Sequence, residues 1–453
     1  MNLADALQVK PHDVVVFVGA GGKTSAMFRL ANELAEQGWR VITTTTTRIG
    51  QDELRFAPQH VGFGHGMRLP DTLPDQVQQH HHVFVFTKLE NDGKVKGVRA
   101  SWLDENLSKA PYLDVLIVEA DGSRRLPMKA PLPNEPVVPE SATIVVPVIG
   151  IDALGQPLDE QHIYGAESIH RIMGHSLQEP VTSELIAAVL MHPQLGLKSI
   201  PRGARIVPLI NKVSEGTIAD ARKVARYVLT DLNIERVILA SLRDSDPVLE
   251  VRQRIGAIVL AAGESRRMGE PKLLLPWKDT TIIYQVCQQI ATSGVYETVV
   301  VAGRWEQEIR LQLADLSVRI TSNPSFATTE MLASLKVGLE AIWHTSDAAL
   351  IVLGDQPAIQ QSTIQDVINA YAQGKGRIVA PSYNNQRGHP ILIDRALWDS
   401  LIDLPADGAP RDVIRANEKE VYHLVVDTNT VLRDIDTPED YRGALNGDGL
   451  MEE

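Results

Sequence analysis

The sequence predicts an α/β protein of two doubly wound domains, each a sheet of parallel strands wrapped by helices. Three observations predict it. Val14–Val18 and Ile258–Leu260 are short apolar runs, of the kind a strand buried on both faces needs, and each enters a loop of small residues. Further apolar runs alternate with segments whose apolar residues recur at helical spacing. Between the two series, Leu242–Arg254 is charged and contains Pro247, which places a boundary there, with a first domain over 1–243 and a second over 254–446.

The whole chain sets outer bounds. Its 453 residues suffice for two or three cores, and 44% hydrophobic with 22% charged residues is a globular balance. A net charge of −13 argues against a general nucleic-acid or anionic-membrane binder, so anionic substrates must meet local cations or Mg²⁺. The single Cys287 excludes an intrachain disulfide, and its place among apolar residues reads as a small core side chain. No stretch is long and apolar enough to span a membrane, and the opening MNLADALQVKPHD lacks a signal-peptide layout, so a cytoplasmic protein is expected.

In the first domain, Val14–Val18 is followed by Gly19, Ala20, Gly21, Gly22, Lys23 and Thr24. A helix comes next, marked by Met27, Leu30, Ala31 and Leu34 and stopped at Gly38. This is a P-loop-like context. Backbone N–H groups at Gly21 and Gly22 would surround phosphate oxygens, Lys23 would neutralise them, and Thr24 would join a Mg²⁺ shell. The first glycine of the full P-loop spacing is replaced by Phe17, so a purely structural βα turn is the competing reading. A strand at Trp39–Ile42 enters Thr43–Thr47, whose hydroxyls are expected to face the Lys23 loop. Another, Leu113–Val118, ends in Glu119 and Asp121, which would hold Mg²⁺ or merely cap the following turn. His80, His81 and His82 are read as strand residues on alternating faces, which cannot converge on one metal. Asn211 and Lys212 have the start of a guanine-reading NKxD element, but Ser214 replaces its decisive acid.

In the second domain, Leu260, Ala261, Ala262 and Gly263 leave the backbone open to a phosphate. Ser265 adds a hydroxyl, and Arg266, Arg267 and Lys272 add cations suited to a triphosphate. A helix through Ile283, Val286, Cys287 and Ile290, a strand at Glu297–Val301, a helix at Ile309–Leu316, a strand at Val318–Thr321 and a helix at Leu332–Ile342 follow. Ala348–Leu353 then leads into Gly354 and Asp355. An acid at the carboxyl end of a central strand is placed to hold Mg²⁺.

The pattern LAAG, Ser265, Arg267, Met268, Gly269, Lys272 resembles the signature of the molybdenum-cofactor nucleotidyltransferases. Ala262 resembles the cytidylyltransferase (MocA-type) members, since the guanylyltransferases usually have Gly there. Arg387, Gly388, His389 and Pro390 match that family's RGHP element, and Asp434–Pro438 its DIDTP segment. The resemblance implies a Rossmann-like nucleotidyltransferase domain that moves CMP from CTP to the molybdopterin cofactor as substrate, with release of pyrophosphate. It implies catalytic roles for Arg267, Lys272 and Asp355, a second Mg²⁺ ligand in Asp436, and acceptor contacts from Arg387, Gly388 and His389. Two departures stand out: Glu330, where the family has Gly, and Pro410, which interrupts the element around Asp407, Gly408 and Arg411. In the first domain GAGGKTS, TTTTRIG, VEADGSRRLPMKAP and NEPVVP resemble the YqeC-type proteins, regarded as accessory factors of selenium-dependent molybdenum hydroxylases, with Asn134 in place of a usual His. That resemblance implies a maturation module whose partner is a molybdenum hydroxylase apoenzyme. Transfer to another phosphorylated acceptor, and a non-catalytic cofactor carrier, stay open as alternatives.

Overall fold

A computed structural model describes residues 1–64, 69–265, 267–326 and 331–446. The chain forms two compact units, Met1–Arg252 and Gln253–Glu453. Each contains one main sheet.

The first unit's sheet takes its strands in chain order from β1 (Val14–Gly19), β2 (Val41–Thr45), β3 (Gln59–Gly62), β4 (His82–Phe86) and β5 (Val115–Glu119), then β6 (Ile144–Gly150), β7 (Leu209–Asn211), β8 (Arg236–Ala240) and β9 (Val248–Gln253). They lie side by side as β9-β8-β7-β6-β1-β5-β2-β4-β3, with Arg205–Ile206 paired to β6. Strands β1 to β8 run parallel. The central strand β1 therefore delivers Gly19–Gly22 to the carboxyl edge, beside the ends of β5 and β6. The helix Lys23–Glu36 starts there and buries Met27, Leu30, Ala31 and Leu34, the face expected from spacing.

Three local expectations change. The charged stretch from which the boundary was read contains β9, a strand of this sheet, because Val248 and Val251 bury themselves at its edge. His80 ends a helix, His81 has φ 58° at its cap, and only His82 enters a strand. The strand expected at Trp39–Ile42 is Val41–Thr45, and its threonine hydroxyls bond neighbouring strands instead of facing the Lys23 loop. Thr43 pairs with His82, Thr44 donates to the carbonyl of Val85 and Thr45 to that of Glu119. β-Branched side chains buried between strands spend their hydroxyls on the nearest backbone acceptors.

The second unit's sheet uses β10 (Ile255–Ala261), β11 (Glu297–Ala302), β12 (Arg319–Ser322), β13 (Ala348–Leu353), β14 (Ile378–Tyr383), β15 (Gln386–Arg387), β16 (Ile391–Asp394) and β17 (Val421–Val425). Their order is β12-β11-β10-β13-β16-β14-β15, and β17 pairs with β14. Along β10, Ala257, Val259 and Ala261 pack with Ile283, Val286, Cys287 and Ile290. Ile258, on the opposite face, packs with Leu335, Leu339 and Ile342. Alternation of side chains across one strand thus feeds two helix layers. The helices Ile282–Thr292 and Met331–Ile342 lie where the periodicity places them, whereas the one expected at Ile309–Leu316 is Glu306–Gln312.

This sheet is mixed where parallel strands are expected, although helices cover both of its faces. Strands β12, β11, β10 and β13 are parallel, but β16 is antiparallel to both β13 and β14. The cause is local. Asn384 and Asn385, with φ of 50° and 62°, turn β14 into β15, and the chain returns at once through Arg387–Pro390 into β16. A connection that short cannot make the crossover that parallel pairing requires.

Candidate functional site

In the second unit, the carboxyl ends of β10 and β13 and the 434–436 segment converge. Backbone pairing aligns Leu260 with Leu353, and Gly354 N–H donates to the Leu260 carbonyl at 3.0 Å. A Cβ on Gly354 would stand 2.9 Å from that oxygen, so close approach of the two strand ends requires glycine there. Around Gly263 a Cβ would meet none of the described residues within 4 Å. Ser265 sits at φ 55°. Its carbonyl accepts from Met268 N–H and its hydroxyl oxygen from Lys272 N–H at 3.1 Å. Ser265 therefore shapes the turn that aims Lys272. Arg266 and Glu330 lie outside the described residues.

Lys272 Nζ reaches Asp355 Oδ2 at 2.6 Å and Asp436 Oδ1 at 2.9 Å, and Arg267 Nη1 reaches Asp436 Oδ2 at 2.9 Å. Four residues from three distant segments thus form one ion cluster. Burial works against the Lys272 charge, but Asp355 and then Asp436 outweigh it and hold the ammonium pKa above its usual value. The hydrogen bond from Lys272 is likewise the main reason that Asp436 is held below the usual carboxylate range. Two hard oxygens facing one point fit a partly hydrated Mg²⁺ completed by phosphate oxygens. Among the described residues no group of three or more His, Cys, Asp or Glu forms a ready cage for a metal. Asp355 and Asp436 are a pair, with Lys272 standing between them.

One part of this region was not legible beforehand. Asp434 Oδ1 accepts from Gln356 Nε2 at 2.5 Å, directly behind Asp355, and Ile435 N–H donates to the Asp355 carbonyl at 3.1 Å. Burial raises the Asp434 pKa, with Asp355 and Asp436 adding to the effect. The alternation of Asp434 and Asp436 about Ile435 was the available signal, since neighbouring residues of an extended segment point to opposite sides.

Arg387 is exposed on β15, and His389 is part-buried with its pKa lowered to about 4, by burial first and then by Arg387. Its imidazole is therefore neutral near pH 7, with one ring N–H to donate. Gly388 has an internal cause: a Cβ there would stand 2.3 Å from the Val431 carbonyl oxygen. Asp407 and Gly408 precede the helix Pro410–Ala416, which Pro410 opens and Asp412 caps through Ala409 N–H. Asn323 and Ser334 bond each other, and Lys336 donates to the Leu404 carbonyl. These three serve the unit's own structure.

In the first unit, Gly21, Gly22, Lys23 and Thr24 do form the turn from β1 into a helix. Gly21, at φ 80°, lies so close to Gly150 that a Cβ would be 2.1 Å from its nitrogen. Gly22 lies against Asn211, whose Nδ2 donates to the Gly21 carbonyl. Lys23 points inward and is 3% exposed, donating to the Gly19 carbonyl at 2.6 Å and approaching Asp121 at 3.3 Å. Asp121 also receives two N–H···O contacts from Gly19 and pairs with Lys129 at 2.9 Å, while Lys129 reaches Glu135 at 2.7 Å. Thr24 donates to Glu119, whose pKa is pushed up to about 7 by burial, with Lys23 and Thr24 pulling it back. Lys129 and Glu135 were not singled out from the sequence, although both lie in quoted motif pieces. Only folding brings them to Asp121.

Comparison with known proteins agrees with this division. Residues 15–167 match the YqeC protein family and residues 257–421 match the MobA-like NTP transferase domain. Over 232 residues the chain is 33% identical to the uncharacterized protein YqeC of Escherichia coli (strain K12), spanning 51% of this chain and 88% of that protein. The chain belongs to the YqeC family, fused to a MobA-like NTP transferase domain. The transferase unit is 27% identical over 195 residues to the molybdenum cofactor cytidylyltransferase of E. coli (strain K12), covering 41% of this chain and 93% of that protein. It is also 26% identical over 194 residues to the nicotine blue oxidoreductase of Paenarthrobacter nicotinovorans, again covering 41% and 93%. The Lys272 cluster lies in the MobA-like unit and the Lys23 cluster in the YqeC unit. No helix among the described residues is long and apolar enough to cross a membrane.

Proposed function

We propose that the transferase unit moves CMP from CTP to the terminal phosphate of the molybdenum cofactor. The observation that carries this reading is Lys272 held between Asp355 and Asp436, with Arg267 on the outer carboxylate. An acceptor phosphate oxygen attacks the α-phosphorus in line, the bond to the bridging oxygen breaks, and pyrophosphate leaves with its charge met by Lys272 and Arg267. Lys272 exchanges its carboxylate partners for phosphate as the nucleotide enters. Asp355 and Asp436 would hold Mg²⁺, which when bound supplies further charge neutralisation. Leu260–Gly263 offer backbone to the nucleotide, Arg387 and the neutral His389 contact the acceptor, and Ala262 favours cytosine. The cytidylyltransferase relative supports this substrate pair.

The relative named as a nicotine blue oxidoreductase matches the same unit almost equally well, so product chemistry must decide the reaction. Pyrophosphate release with Mg²⁺, molybdenum cofactor and each nucleoside triphosphate in turn is the direct test. The reading expects release with CTP that needs the cofactor and falls by about 10²-fold in Asp355→Ala. Release with GTP alone would overturn the base assignment. Cofactor binding without release would favour a carrier.

For the YqeC unit we propose a nucleotide-phosphate site at Gly21–Thr24, with Glu119 and Asp121 near its metal, serving delivery of the cofactor to a molybdenum hydroxylase apoenzyme. Binding requires Lys23 to leave Asp121 and the Gly19 carbonyl for phosphate. Titration of a fluorescent ATP or GTP analogue tests it, with Lys23→Ala abolishing binding; saturable binding unaffected by that change would remove the site from this loop.

A further inference from the structure

We infer that Asp434 is a positioning residue that fixes the separation of the two carboxylates flanking Lys272. The inference rests on the nucleotidyl-transfer reading of that site. Asp355 and Asp436 sit on different segments, one following β13 and the other preceding the helix Pro438–Asn446. Among the described residues, three hydrogen-bonded links involving Asp355, Gln356 and residues 434–436 join these segments, beside the packing of Ile435 with Val352 and Ile359. Lys272 bridges Asp355 and Asp436, Ile435 N–H donates to the Asp355 carbonyl, and Gln356 Nε2 donates to Asp434 Oδ1. The first contact cannot persist once Lys272 turns to a phosphate. Of these links the other two then remain, and only the Gln356–Asp434 bond is made by side chains.

The Gln356 amide is built for this single bond. It is 2% exposed, and its Oε1 is buried without a hydrogen-bond partner among the described residues. The one side-chain hydrogen bond that Gln356 makes among the described residues is therefore the one its donor gives to Asp434. Gln356 is also the residue next to Asp355, and Asp434 is two residues from Asp436. The bond therefore ties the backbones on which both reacting-site carboxylates ride. Geometry of this kind behind a metal-binding pair sets how well the pair binds, and loss of such a partner typically costs about 10- to 100-fold in metal affinity.

Substitution separates the hydrogen bond from the charge. Asp434→Asn keeps an oxygen for Gln356 Nε2 and removes the charge; Asp434→Ala removes both; Gln356→Ala removes the donor from the other side. Backbone amide exchange of metal-free protein should accelerate about tenfold or more at Ile435 in Asp434→Ala and Gln356→Ala, and stay at the wild-type rate in Asp434→Asn. Binding of Mn²⁺ in the presence of CTP, followed by electron paramagnetic resonance of free Mn²⁺, should weaken about tenfold or more in both alanine variants and in their combination, with no further loss in the double variant. The CTP KM at saturating metal should stay near wild type. Equal weakening in Asp434→Asn and Asp434→Ala would show that charge, not the bond, matters, and would overturn the inference. So would unchanged Mn²⁺ affinity in both alanine variants. If the wild-type protein binds no Mn²⁺ with CTP, the transfer reading itself fails, a result distinct from either of these.

Discussion

Lys272 keeps its charge because two carboxylates face it, and the same two would repel each other if it were removed. Lys272→Met is therefore expected to lower pyrophosphate release by about 10²-fold, while Lys272→Arg, which keeps the charge but not the point geometry, recovers part of it. Buried histidines make a different prediction. His82 is fully buried between Thr43 and Asn32, and burial lowers its pKa from 6.5 to about 4. The unfolded chain thus binds a proton that the folded YqeC unit refuses. The contribution is fully present above pH about 6.5 and is lost as pH falls towards about 4, to the extent of roughly 3 kcal/mol. Unfolding measured at pH 7 and pH 5 should show about 2 kcal/mol of that loss, and His82→Gln should flatten it. A pH dependence unchanged by His82→Gln would contradict the assignment.

At the scale of elements, the strands and the helices after the two small-residue loops were legible because each carries an unbroken apolar run or a clean helical stripe. Val14–Gly19, Ile255–Ala261 and Ala348–Leu353 are of this kind. The direction of β16 was not, since it follows from the turn at Asn384–Asn385 and from which strand lies alongside. The destination of the Thr43–Thr45 hydroxyls and the inward turn of Lys23 were hidden for the same reason: their partners are His82, Val85, Glu119 and Asp121, remote in sequence. Lys272, Asp355 and Asp436 could be named from strand ends and motif, but Gln356 and Asp434 could not, because their bond exists only between folded segments. The glycines divide accordingly. Gly21→Ala must push against Gly150 at φ 80°, and is expected to destabilise the unit by about 2 kcal/mol or more, seen as a lowered Tm. Gly263→Ala meets none of the described residues within 4 Å, so the Tm should hold while the CTP KM rises. A fall in Tm without a change in KM would mark Gly263 as structural.

Over the whole molecule, 453 residues divide at Arg252–Gln253 into two units with separate hydrophobic clusters. Each unit has its own sheet and its own cluster of charged side chains at the carboxyl ends of central strands. The fragment 253–453 is accordingly expected to fold and to release pyrophosphate at close to the full-chain rate; loss of activity with the fold retained would show that transfer needs the YqeC unit. With a net charge of −13, the proposed hold on a triphosphate falls to the local cations Lys272 and Arg267. The most direct test of the central claim is pyrophosphate release from the full chain with CTP, Mg²⁺ and molybdenum cofactor, comparing wild type with Lys272→Met and Asp355→Ala. Cofactor-dependent release that both substitutions reduce by about 10²-fold is the predicted result. Release that survives both, in folded protein, would contradict a catalytic site built on Lys272 between Asp355 and Asp436.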